Sequence, residues 1–108
     1  MADISNNPTS IRSEFADDPD MKDLVLEYIN KMALRVEKMT AAYEHGEREQ
    51  LIRLAHQLKG SGGGYGFPIL TTLAGELEQT LLNMGEDDLD QAAEPFSALL
   101  DVCSRMAA

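Results

Sequence analysis

Leu54-Ala55-His56-Gln57-Leu58-Lys59-Gly60-Ser61-Gly62-Gly63-Gly64-Tyr65-Gly66-Phe67 is the stretch on which the reading of this chain turns. Leu51, Leu54, Ala55 and Leu58 recur at three and four residues, the spacing that puts apolar side chains on one face of a helix. Five glycines then fall within seven residues, at 60, 62, 63, 64 and 66. A glycine in a helix interior costs about 1 kcal/mol against alanine. A small domain has only about 5–15 kcal/mol of net stability to lose. Either the helix ends early, or something needs bare backbone beside His56.

Helical stripes continue on both sides of this stretch. Before it, Asp18-Pro19 reads as a helix start, with Asp18 as N-cap and proline at the first helical position. Met21, Val25, Tyr28, Ile29, Met32, Val36, Met39 and Tyr43 then repeat at helical spacing, which predicts one long helix closing at Gly46. A second helix starts near Glu47. After the glycines, Pro68 opens a third, with Leu70, Leu73, Ala74, Leu77 and Leu81 inward and Gly85 at its end. Asp87 or Asp88 caps a fourth, with Leu89, Ala92, Ala93, Phe96, Leu99, Leu100, Cys103 and Met106 inward. Pro95 lacks a backbone N–H and presses on the carbonyl of Gln91, which predicts a kink or break there.

No stretch alternates at period two and no repeat is present. Short connections between four amphipathic helices favour antiparallel neighbours. The expected fold is all-α: an antiparallel up-down four-helix bundle over 18–108. Residues 1–17 form an N-terminal arm, mostly flexible, in which Ile11 and Phe15 are spaced for one short helical turn laid on the core.

Composition narrows the function classes. The chain has 108 residues, one domain's worth, and 44% of them are apolar. No apolar run approaches the roughly 18 residues a membrane helix needs. The start, Met1-Ala2-Asp3-Ile4-Ser5, has no cationic or apolar signal segment. The single cysteine, Cys103, reads as a buried thiol in a reducing compartment, so a cytoplasmic protein is expected. Nine Lys and Arg stand against nineteen Asp and Glu, a net charge of −10. That balance argues against nucleic acid and anionic membranes, whose binding depends on basic patches. The methionine stripe at Met21, Met32 and Met39 reads as core filler.

His56 lies one helical step from Ala55, at or beyond the edge of the buried face. Its surface neighbours are Ile52, Arg53, Lys59 and Gly60 at three and four residues, with Gly63 a turn further on. Arg48, Arg53 and Lys59 oppose Glu49 alone between 48 and 61, a positive patch on an acidic protein. An exposed imidazole is largely neutral and nucleophilic at pH 7. Neighbouring cations favour the neutral ring and would stabilise a phosphoryl group placed on it. The plainer reading is a surface histidine beside a glycine-rich helix end, but the cost of the glycines and the reversal of charge favour the functional one.

Ala55-His56-Gln57-Leu58-Lys59-Gly60-Ser61, with Gly66 beyond and Leu70, Leu73, Ala74 and Leu77 after it, resembles the histidine-containing phosphotransfer (HPt) domain. The similarity is clearest over 47–82. It implies a four-helix bundle whose histidine accepts a phosphoryl group from a receiver-domain aspartyl phosphate and returns it to another receiver. By that resemblance His56 is the phospho-acceptor through Nε2, Lys59 stabilises the phosphoryl charge, and Gly60 leaves room for the receiver. Partners are then a response-regulator receiver domain or a hybrid histidine kinase, and the domain itself is a monomer. It needs no cofactor of its own, because Mg²⁺ and the acidic cluster belong to the receiver. Gly62 departs from the serine or alanine common in the family. Glu78 matches a Glu or Gln that accepts from the imidazole Nδ1 in some members, including the phosphotransfer domain of chemotaxis-type kinases; a solvated carboxylate is the alternative. Gly75, one turn before it, would let the two helices approach.

Other readings are weaker. The glycine run has neither G-x-G-x-x-G in register nor G-K-[ST], and no strand precedes it, so a nucleotide loop is not supported. Without an ATP-binding domain no autonomous kinase activity is expected. Glu86-Asp87-Asp88-Leu89-Asp90 lacks EF-hand spacing, a di-iron bundle needs Glu-x-x-His pairs on facing helices where this chain has only two histidines, and no metal ligand set emerges. His45 has no assigned role. The remaining alternative is a non-catalytic adaptor that docks a partner near Ile52 and Gly63. Within the run, Gly60 and Gly63 are expected to serve access, Gly62 close packing, and Gly64 and Gly66 the end of the helix.

Overall fold

The stripes become helices in a computed structural model that describes residues 10–84 and 89–107. These are α1 (Lys22–Asn30), α2 (Met32–Glu44), α3 (Arg48–Gly62), α4 (Pro68–Asn83) and α5 (Ala93–Arg105). Short 3-10 turns at Gly63–Tyr65 and Leu89–Ala92 lead into α4 and α5 respectively. The protein is all-α, with α1 and α2 together taking the place of the expected first helix. None of these helices is long and apolar enough to cross a membrane.

The first helix differs from expectation at both ends of α1. Asp18 does not cap it. Its side chain accepts from the Asp20 N–H, its carbonyl accepts from Met21 and Lys22, and the helix begins at Lys22. Lys31 then separates α1 from α2, although its own backbone stays in the right-handed region. The two halves have different neighbours. Tyr28 of α1 stacks on Tyr65 in the 3-10 turn after α3, whereas α2, with Met32, Met39 and Ala42 buried, packs against α3 and α5.

Pro95 acts as expected. Its missing N–H falls in the first turn of α5, where backbone donors are unpaired anyway, and a 3-10 turn replaces the helix before it. Leu89 and Ala92 are buried three residues apart, in step with Phe96, Leu99 and Cys103, and Ala93, expected inward, lies one step off that stripe and is exposed. Gly85, Glu86, Asp87 and Asp88, expected to end the third helix and cap the fourth, lie outside the described residues, as do residues 1–9 of the arm.

The described part of the arm is docked. Ile11–Arg12 (β1) pairs in parallel with Met106–Ala107 (β2), Ile11 opposite Met106. Ile11 is therefore extended and not part of a helical turn, though both it and Phe15 pack on the core as expected. Buried Ser13 donates to the Tyr65 carbonyl at 2.7 Å, and the Glu14 N–H donates to the Gly66 carbonyl at 2.8 Å. The core is apolar, with Leu51, Ala55, Leu58, Leu70, Ala74, Leu77, Leu81 and Leu99 at its centre and the Cys103 thiol at its edge. Burial raises that thiol's pKa to about 11.

Candidate functional site

Helix α3 does not stop at the glycines. It runs through Gly60 to Gly62 before tightening into the 3-10 turn, and Gly66 closes the turn in the left-handed region at φ 87°. Gly62 explains the continuation. A Cβ there would lie 2.7 Å from Leu70 Cβ and 3.1 Å from the Thr71 nitrogen, so its bare backbone is what lets α3 and α4 lie together. Ala55 and Leu58 point into that contact, and the next residue round from Ala55, His56, points out with 66% of its side chain exposed.

Glu78 reaches His56 from α4. Its Oε2 lies 2.9 Å from the imidazole Nδ1, and its Oε1 lies 2.8 Å from Lys59 Nζ. An ionised carboxylate only accepts hydrogen bonds, so Nδ1 carries the proton and Nε2 the lone pair. The Glu78 side chain is 13% exposed. Lys59's hydrogen bond holds its carboxyl below the ordinary value of 4.5; burial opposes that shift and the bond to His56 adds to it. The three residues thus form one chain, cation to carboxylate to imidazole.

Gly60 is exposed, and a Cβ built there would meet no atom within 4 Å. Gly63 lies a turn further, its N–H donating to Thr71 Oγ1 at 2.9 Å. Gly75 lies under Lys59: a Cβ at 75 would be 3.2 Å from Lys59 Cδ. It accommodates a side chain more than the approach of two backbones. The other two cations of the patch turn elsewhere, Arg53 to Gln50 at 2.7 Å and Arg48 to the Leu81 carbonyl at 2.9 Å. Lys59 is the cation that the structure brings into the His56–Glu78 chain.

Sequence reasoning placed Lys59 and Glu78 separately beside His56 and missed that they pair with each other. It also passed over Thr71, although Thr71, Gly75 and Glu78 are spaced to share one face of α4. Among the described residues no group of three His, Cys, Asp or Glu side chains could hold a metal ion.

A family model described as Hpt domain matches residues 23–108. No curated protein and no solved structure matches the chain.

Proposed function

The chain belongs to the Hpt-domain family, and from that membership we propose that His56 is the phosphoryl acceptor of a two-component phosphorelay. Hpt domains carry out histidine phosphotransfer in such relays, together with receiver domains and histidine kinases. The observation that carries the assignment is an exposed imidazole whose Nδ1 is engaged by the carboxylate of Glu78 at 2.9 Å. That contact leaves Nε2 as the nucleophile.

In the step proposed, the Nε2 lone pair attacks the phosphorus of a receiver's aspartyl phosphate. The N–P bond forms, the P–O bond to the receiver carboxylate breaks, and its electron pair stays on that carboxylate. The ring gains positive charge, which Glu78 stabilises through the Nδ1 proton without removing it. Lys59 offers its remaining ammonium donors to the phosphoryl oxygens. Gly60 leaves the approach to Nε2 open, and Mg²⁺ is supplied with the receiver. The reverse attack, by another receiver's aspartate, passes the group on. The domain acts as an intermediate without kinase activity of its own, as a cytoplasmic monomer. Its helices run up and down in antiparallel order over 18–108, an arrangement that the short connections support.

The test is incubation with a phosphorylated receiver, followed by chemical analysis of the product. Acid-labile, base-stable phosphate on the wild-type chain, and none on His56→Gln, is the expected result. Phosphate on His56→Gln rejects the assignment. Receiver binding without any transfer would make the chain a non-catalytic adaptor.

A further inference from the structure

Thr71, half-buried on α4, has no part in the step above. In a regular α-helix the Gly63 N–H would donate to the Lys59 carbonyl four residues back. The Thr71 hydroxyl stands between these two groups, accepting from Gly63 N at 2.9 Å and donating to Lys59 O at 2.8 Å. Helix α3 gives way to the 3-10 turn at that same residue, Gly63. A side chain of one helix has entered the backbone ladder of another, at the point where the ladder changes pitch.

Thr71, Gly75 and Glu78 form one stripe of α4, and Lys59 lies along it. The Lys59 carbonyl meets Thr71, its Cδ lies 3.2 Å from where a Gly75 Cβ would stand, and its ammonium meets Glu78 at 2.8 Å. The other Glu78 oxygen holds the imidazole. Any slip of the Lys59 backbone along α4 therefore moves the cation that anchors Glu78, and Glu78 orients His56.

We propose that Thr71 is a positioning residue for His56: its hydroxyl fixes the register of α3 against α4 and so keeps Lys59, Glu78 and the imidazole in line. The proposal rests on His56 being the phosphoryl acceptor. Valine at 71 keeps the branched shape and removes the hydroxyl, which frees the Gly63 N–H and Lys59 carbonyl to pair directly. Serine keeps the hydroxyl and loses only a methyl group.

The experiment compares the full chain with its Thr71→Val and Thr71→Ser variants by two readouts. Nitrogen NMR of the imidazole reports which ring nitrogen carries the proton, and a radiolabelled phospho-receiver gives the transfer rate. Thr71→Val is expected to lower the rate by about tenfold, the order that one hydrogen bond can set, and to reduce the Nδ1-protonated form. Thr71→Ser should keep both readouts near those of the wild type, a rescue that packing alone does not explain. The proposal is overturned if Thr71→Val matches the wild type in both readouts, or if serine is as impaired as valine. If the wild-type chain accepts no phosphate, the phosphorelay reading fails by itself. The NMR readout then decides Thr71: a reduced Nδ1-protonated form in Thr71→Val supports the role and an unchanged one overturns it. Should Thr71→Val not fold, Thr71→Ala removes the same hydroxyl and must shift the imidazole signal that Thr71→Ser keeps; an unmoved signal overturns the proposal.

Discussion

Gly60 and Gly62 stand on the same helix, one exposed and the other buried. Around Gly60 there is nothing for a side chain to touch, whereas a Cβ at Gly62 would press on Leu70 Cβ and on the backbone of Thr71 and Phe67. On the outward side of α3 the missing side chain leaves open space beside His56. On the inward side it lets two helices meet. One residue type in one short run does two physically opposite things, and only the surroundings tell them apart. Substitutions that add a single methyl group can therefore break or sharpen the comparison.

The largest loss is expected on the inward side, at Gly66. Alanine there must adopt φ near 87° and would collide with Ser13 Oγ and the Glu14 nitrogen, which tie β1 and the following turn to the end of α3. Left-handed backbone costs about 1–2 kcal/mol and overpacking a further 1–3. Gly66→Ala should lower unfolding stability by about 3 kcal/mol in urea titration; an unchanged midpoint would mean that the Ser13 segment yields freely. The outward side answers in rate instead. Glu78→Ala removes a charge-assisted bond worth about 1.5–3 kcal/mol, so phosphotransfer at pH 7 should slow by about 10- to 100-fold. An unchanged rate and imidazole signal would dismiss Glu78 from the site. Its pH dependence has a definite sign. The Glu78 pKa lies below 4.5 in the folded chain, so its contribution to stability is present above 4.5 and disappears as pH falls through the lowered value. Wild type and Glu78→Ala should accordingly converge in stability in acid.

Gly62→Ala comes next. Clash with backbone, which cannot swing away, costs about 1–3 kcal/mol, and helix propensity returns up to about 1. A net loss of about 1–2 kcal/mol is expected, read as a drop in thermal midpoint of roughly 4–16 °C. A rise would show that α3 and α4 separate without cost, and Gly62 would then belong with Gly60.

The apolar stripes made most of this legible in advance. Leu51, Ala55 and Leu58 fix which way α3 faces, and that places His56 outside; the spacing of Leu70, Ala74 and Leu77 sets Glu78 at the edge of the buried face of α4, beside α3. Where sequence reading fell short, the deciding contact lies between elements. The division at Lys31 carries no proline or glycine to announce it, and α1 and α2 on either side have different neighbours. Ala93 turned outward because the buried stripe is narrow, passing through Leu89, Ala92, Phe96, Leu99 and Cys103, and an alanine one step off it has no contact to hold it inward. The β1–β2 pair is two residues long, too short for alternation to register. Thr71 was missed because its partners are backbone atoms of another helix. Side-chain patterns carry no record of register between helices, and the Lys59–Glu78 pair was missed for the same reason.

Gly60→Ala gives the smallest effect and the most pointed one, because stability and function should move in opposite directions. The residue lies inside α3, exposed, with no atom within 4 Å of the added carbon. Nothing opposes the gain in helix propensity, so stability should rise by about 0.5–1 kcal/mol, observable as a thermal midpoint a few degrees higher. On the proposed function the same methyl group stands where a receiver must approach Nε2. Transfer from a phospho-receiver should therefore slow, while labelling of His56 by a small phosphodonor such as phosphoramidate stays unchanged. That split separates access from chemistry, since a disturbed imidazole would impair both donors alike. If Gly60→Ala were instead stabilised with receiver transfer intact, Gly60 would have no role in access. The opening beside His56 would then be incidental, and the outward half of the comparison would rest on Glu78 and Lys59 alone.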